Sequence, residues 1–124
     1  MPPIFGSFWL RLQSRGVLTG SYMNNELPVP FPETAIADNP THVADAFEGT
    51  YNSVWQEQTG PTNSILTIKL RALPNTYDLE WRVDGSLRFS GLGMREGNLL
   101  VGSYWNELAH ITINNSNQMV LGGS

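Results

Sequence analysis

The stretch TYDLEWRVDGSLRF, Thr76 to Phe89, decides how the rest of the chain is read. In its first half Tyr77, Leu79, Trp81 and Val83 alternate with Asp78, Glu80 and Arg82. A helix would scatter those charges around its circumference. A half-buried strand places every apolar side chain on one face and every charge on the other. Asp84-Gly85 follows at once, and this pair suits a two-residue type I′ hairpin, which needs positive φ at both central positions. Leu87 and Phe89 then resume the apolar face on a returning strand. One antiparallel hairpin is therefore legible here without any other information.

Working outward, the same period of two recurs. Phe8, Leu10 and Leu12 share a face in FWLRLQ, as do Leu66, Ile68 and Leu70 in ILTIKLR. Arg15-Gly16, Pro74-Asn75, Glu96-Gly97-Asn98 and the run 114–117 punctuate these segments as turns. The pattern predicts strands near 5–13, 16–23, 48–56, 64–73, 76–84, 87–95, 98–105, 108–114 and 118–122. Connections after residue 64 are so short that neighbours must run antiparallel. The 124 residues form one domain: an N-terminal hairpin (1–23), a Pro-rich connection (24–47) and a meander (48–122). The connection carries four prolines between Pro28 and Pro40. Its first half reads as an irregular loop, because proline removes ladder donors. Its second half leaves room for a short helix over Thr41 to Phe47, with Pro40 in the first turn.

A short word recurs along the chain: GSFW from Gly6, GSYM from Gly20, GTYN from Gly49 and GSYW from Gly102. On a strand, the glycine and the aromatic two residues later face the same side. Glycines let a sheet coil tightly enough to close into a small barrel. FSGLGM, with Gly91 and Gly93, serves the same need. The bare faces of Gly20 and Gly102 are then expected to be covered by an aromatic from an adjacent strand. The alternative is that Tyr22, Tyr51 and Tyr104 are presented to a ligand.

FEGTYNSVW followed by hairpin-linked strands resembles the opening of the calycins: lipocalins, fatty-acid-binding proteins and avidins. Gly49-Thr50-Tyr51 would be their Gly-x-Trp word with tyrosine in place of tryptophan. The resemblance implies an all-β, antiparallel, up-and-down barrel of eight or nine strands, with a ligand inside. It also sets Asn52 and Ser53 near a ligand's polar head, as in avidin-type barrels. The chain departs from the family in having no arginine after Arg95, where lipocalins and fatty-acid-binding proteins use one. Residues 1–46 have no counterpart in it.

Composition narrows the function. A net charge of −4 lacks the basic face that general nucleic-acid binding requires. No apolar run is long enough for a membrane-spanning helix. Without cysteine there is no disulfide or thiolate chemistry, and with no signal peptide visible a cytoplasmic location is the default expectation. Of the two histidines, His42 lies in the Pro-rich connection. His110 in ELAHITIN shares a strand face with Leu108 and Thr112, and a lone histidine is weak support for haem ligation. No catalytic or metal-binding motif is recognisable, and no cofactor is expected. An enzyme would be indicated only by a buried Glu or His opening onto a pocket.

The leading expectation is a non-catalytic barrel that binds a small, largely apolar molecule. Its candidate ligand-binding residues are Tyr51, Asn52, Tyr77, Trp81, Phe89 and Tyr104, and its expected inward set adds Phe8, Leu10, Leu66, Ile68, Leu70, Leu79, Val83 and Leu87. The alternative is an interaction module with a filled core. LLVGSYW is apolar on both faces, so its outer row (Leu99, Val101 and Trp105) would form a homodimer or be covered by the N-terminal segment.

Overall fold

A computed structural model describes residues 2–38 and 45–111. Eight antiparallel strands follow one another around a closed barrel: β1 (Phe5–Ser14), β2 (Val17–Asn24), β3 (Phe31–Ala37), β4 (Gly49–Glu57), β5 (Gly60–Leu70), β6 (Thr76–Val83), β7 (Ser86–Glu96) and β8 (Leu99–Trp105). Each strand pairs with the next. β8 returns to β1 in the register Phe8↔Gly102 and Leu10↔Leu100, which leaves no free sheet edge. Asp84 and Gly85 both take positive φ (51° and 82°), as the type I′ hairpin between β6 and β7 demands.

The inward faces follow the alternation. Phe8, Leu10, Leu66, Ile68, Tyr77, Leu79 and Trp81 are buried, and Val83 and Phe89 pack against them. Removing each large apolar side chain from water contributes about 1.5–3 kcal/mol, so this interior supplies most of the fold's driving force. Leu70 and Leu87 do not join it. Leu70 ends β5 and is exposed. Leu87 is turned out by a β-bulge: Arg82 pairs with Leu87 and Trp81 with Phe89, so Arg88 is an extra residue on β7. One inserted residue flips the face of everything before it. Phe89 keeps the inward face with Trp81, and Leu87 goes to solvent with Arg82.

Two segments differ from the sequence expectation. The irregular loop foreseen around Pro30 and Pro32 contains β3, whose register Thr34↔Thr19 and Thr34↔Val54 inserts it between β2 and β4. Pro32, Thr34 and Ile36 alternate here with the inward residues Phe31, Glu33, Ala35 and Ala37, and Pro32 lies on the outer face near the start of the strand, where its missing donor is tolerated. Of the short helix placed over 41–47, positions 41–44 lie outside the described residues, and 45–47 are a bend rather than a helix. Of the strand expected over 108–114, positions 108–111 belong instead to a helical turn at residues 107–111, and 112–114 lie outside the described residues. Asn106 caps it, accepting the Ala109 N–H at Oδ1 (2.9 Å), and its side chain also binds the N-terminal segment through the Ile4 N–H and the Pro2 carbonyl. His110 consequently stacks on Trp105 at 6.5 Å instead of occupying a strand face. The strand foreseen at 118–122 and His42 both lie outside the described residues.

The glycines bring strands together more closely than an aromatic cover would allow. A Cβ at Gly20 would collide with the Trp9 carbonyl oxygen, and one at Gly102 with that of Leu92. The neighbouring backbone, not a ring, fills both places. The aromatic cover exists at Gly91, where Trp81 lies 3.1 Å from a Cβ position. Coiling is thus concentrated where β1, β2, β7 and β8 meet.

Candidate functional site

The barrel's two ends differ. One end carries the β1–β2, β5–β6 and β7–β8 turns and the segment between β3 and β4, and it is closed. Phe47 is fully buried there and packs edge-on against Tyr77 at 6.0 Å. The Tyr51 hydroxyl donates to the Phe47 carbonyl (2.7 Å) and the Tyr77 hydroxyl to Asp45 Oδ1 (3.0 Å), while Arg95 reaches Asp45 Oδ2 at 3.5 Å and covers the Phe47 ring. Asp45 also accepts the backbone N–H groups of Phe47 and Glu48. Burial pushes the Asp45 carboxyl up, but these donors and the Arg95 charge outweigh it and hold its pKa below the ordinary value.

At the other end a cavity of about 290 Å3 opens between the β2–β3 and β4–β5 connections, at the small end of the range for ligand sites. Its wall is aromatic. Phe8 meets Trp81 edge-on at 5.6 Å, Trp81 meets Tyr104 at 6.0 Å, Tyr104 meets Phe89 at 5.3 Å, and Phe89 meets Trp55 at 5.9 Å. Tyr22 adds a further ring against Tyr104 at 6.2 Å. The repeated word explains this arrangement. Three of its four copies lie on the adjacent strands β8, β1 and β2, so closure of the barrel gathers Tyr104, Phe8 and Tyr22 at one end. The fourth, on β4, sends Tyr51 to the closed end.

The most deeply buried carboxyl of this wall is that of Glu33. Glu33, 4% exposed, stands on β3 between Gly20 of β2, which offers no side chain opposite it, and Trp55 of β4. Its Oε2 accepts the Ser53 hydroxyl at 2.6 Å and the Trp81 indole N–H at 2.8 Å. Its Oε1 takes no donor among the described residues. Burial raises the pKa, and the two hydrogen bonds only partly oppose it. No cation among the described residues contributes to that balance, so Glu33 is a buried acid with no counter-ion among them.

The remaining polar groups are arranged around the mouth. Glu57 accepts the Trp55 indole N–H at 2.9 Å, and Asn24 donates to the Tyr104 hydroxyl at 2.8 Å. Burial pushes the Tyr104 phenol up to about 12, helped by the Glu33 charge and opposed by Asn24. Tyr22 donates to the Gln56 carbonyl, and its phenol is raised by burial first and then by Glu57, Tyr104 and Glu33. Among the described residues, the bulge residue Arg88 is the one basic residue lining the cavity. Its guanidinium stacks over Phe89 at 5.9 Å, and its buried Nε has no partner among the described residues.

Of the six candidate residues, Trp81, Phe89 and Tyr104 line this cavity. Tyr51 and Tyr77 are 0% exposed at the closed end and serve as packing and hydrogen-bonding groups there. Asn52 faces outward, bonded to Asp38; Ser53 faces inward and holds Glu33. Sequence reasoning missed Glu33, Trp55 and Arg88; Tyr22, which it named only in the alternative reading of the repeated word, also lines the cavity. Glu33 was hidden by the prolines around it, although Phe31, Ala35 and Ala37 mark an inward face that it interrupts. Arg88 became inward only through the bulge.

No helix among the described residues is long and apolar enough to cross a membrane. No group of three or more acidic, His or Cys side chains among them could hold a metal ion. The chain matches no protein-family model, no curated protein and no solved structure.

Proposed function

We propose that this is a calycin-like barrel that binds a small, largely apolar molecule in its open end. The observation that carries the reading is the cavity itself. Phe8, Trp55, Trp81, Phe89 and Tyr104 surround about 290 Å3 of space at one end, while Phe47, Tyr51 and Tyr77 fill the other. Apolar walls with a few oriented polar groups are the usual form of a ligand site. A buried glutamate at a cavity also raises acid–base catalysis. Binding is preferred because Glu33 is tied at Oε2 by two donors, and its hydroxyl neighbour Ser53 does not line the cavity.

The test is a titration with N-phenyl-1-naphthylamine, an uncharged apolar dye at neutral pH. Saturable dye emission with a change in tryptophan fluorescence is expected, because Trp55 and Trp81 form the wall. No dye emission and unaltered tryptophan fluorescence would mean that the interior accepts nothing.

A second reading, self-association, has its own observation. Trp9, Val101 and Met94 lie in register across β1, β8 and β7, and all three are exposed on the outer wall. Such a contiguous apolar row suits a partner surface. Sedimentation velocity over a wide concentration range tests it: a concentration-independent monomer ends this reading.

A further inference from the structure

We propose that the ligand of this cavity carries a cationic nitrogen, a protonated amine on an aromatic or alicyclic skeleton, and that Glu33 is its anchor. This rests on the binding reading above and specifies the chemistry of the ligand. Three independent features point the same way. First, the lining holds three carboxylates, Glu26, Glu33 and Glu57, against the single guanidinium of Arg88. The cavity is therefore acidic, and an acidic cleft with low-dielectric walls concentrates cations. Second, Glu33 is placed deep among the rings with Oε2 held by Ser53 and Trp81, which leaves Oε1 as an acceptor without a donor. A buried carboxylate without a counter-ion is costly, and an ammonium group brought by the ligand removes that cost. Third, Phe8, Trp81, Phe89 and Tyr104 all line the same space, and aromatic rings attract cations.

An inorganic cation fits less well. The three carboxylates do not converge into a metal-binding group among the described residues, and the walls between them are apolar. Arg88 sets a further condition. It is not among the charges acting on Glu33, and its Nε–H, unpartnered among the described residues, would donate to an oxygen on the ligand's distal part.

The experiment compares three probes of nearly equal shape by isothermal titration calorimetry: tryptamine, tryptophol and indole-3-acetate. Tryptamine is expected to bind about tenfold or more tightly than tryptophol, a difference of about 1.4 kcal/mol, with indole-3-acetate weakest. Glu33→Gln should erase the preference for tryptamine while tryptophol binding persists. Acidification should erase it in the unaltered protein too, because a protonated Glu33 offers no charge. The groups that face Glu33 or share its cavity are Tyr22 and Tyr104, which titrate far above this range, with Glu26, Glu57 and Arg88 at the wall. Should Glu33→Gln fail to fold, this pH dependence measured in a Glu26→Gln/Glu57→Gln protein reads the Glu33 carboxyl alone. If tryptophol and the apolar dye bind and tryptamine binds no better, the amine proposal fails and the binding reading stands. If indole-3-acetate binds best, Arg88 is the anchor and the proposal is overturned. If nothing binds, including the dye, both fall together.

Discussion

Trp81 on β6 donates its indole N–H to Glu33 on β3 at 2.8 Å, joining two strands that share no ladder. The bond crosses the lumen, and it therefore fixes the inner surface of the cavity as well as the carboxyl. The ring that makes it also packs against Phe8 and Tyr104. Trp81→Phe keeps most of that packing and deletes the donor. Because a buried acceptor loses a partner, a loss of about 1–3 kcal/mol is expected in urea denaturation at neutral pH. A loss within error would mean that the indole contributes through its rings alone.

Glu33 makes stability depend on pH in a direction opposite to that of an ordinary surface carboxylate. Burial raises its folded pKa above the ordinary value of 4.5, even against the Ser53 and Trp81 hydrogen bonds. The folded state therefore holds the proton more tightly than the unfolded chain. Its contribution is complete below the unfolded pKa and is lost as the pH rises through the folded one. Glu33→Gln, which resembles the neutral acid, should melt several degrees above the natural protein near pH 8. The gap should close near pH 4. Parallel melting curves at the two pH values would show that the carboxyl titrates alike in both states.

Asp45 works with the opposite sign. Burial pushes its carboxyl up, but hydrogen bonds from the Phe47 N–H, the Tyr77 hydroxyl and the Glu48 N–H, together with Arg95, leave the folded pKa below 3.8. Its stabilisation is present above the unfolded pKa and is lost as pH falls through the folded one. Asp45→Asn should therefore destabilise the closed end by about 1–2 kcal/mol at neutral pH, from weakened charge-assisted bonds. The deficit should vanish at about pH 2–3. A deficit that persists there would assign the role to packing.

What the sequence made legible was whatever follows from alternation and turn chemistry. Tyr77, Leu79 and Trp81 had to share a buried face, and Asp84-Gly85 had to turn the chain; the crowding of glycines pointed to a closed barrel, but not to β8 as the strand that closes it on β1. Two kinds of feature stayed hidden. The β7 bulge at Arg88 depends on how two strands twist together, so alternation alone predicted Leu87 inside and gave Arg88 no role. β3 depends on neighbours on both sides, and local proline content argued against it. Glu33, the central group of the site, lies on that strand. The aromatic half of the cavity was therefore readable and its polar half was not.

The glycine of the repeated word gives the most direct test of the architecture. At Gly102 a side chain would meet the Leu92 carbonyl oxygen and the Gly93 Cα, which are backbone atoms that cannot rotate away. Even a methyl group must separate β7 from β8 at a point where both strands coil. Overpacking of this sort costs about 1–3 kcal/mol, a large fraction of the ~5–15 kcal/mol by which a small domain is stable. Gly102→Ala should therefore lower the melting temperature clearly, by about 4 °C for each kcal/mol lost. Ser103→Ala, next along β8 but on the exposed outer face, is the control and should leave it nearly unchanged. Tyr104 stands two residues beyond Gly102 on the same inner face, so a folded Gly102→Ala protein should also show weaker dye binding as the ring shifts. An unchanged melting temperature with impaired binding would reverse the assignment: the word would then be part of the ligand site, and the coiling of the barrel would have to come from elsewhere.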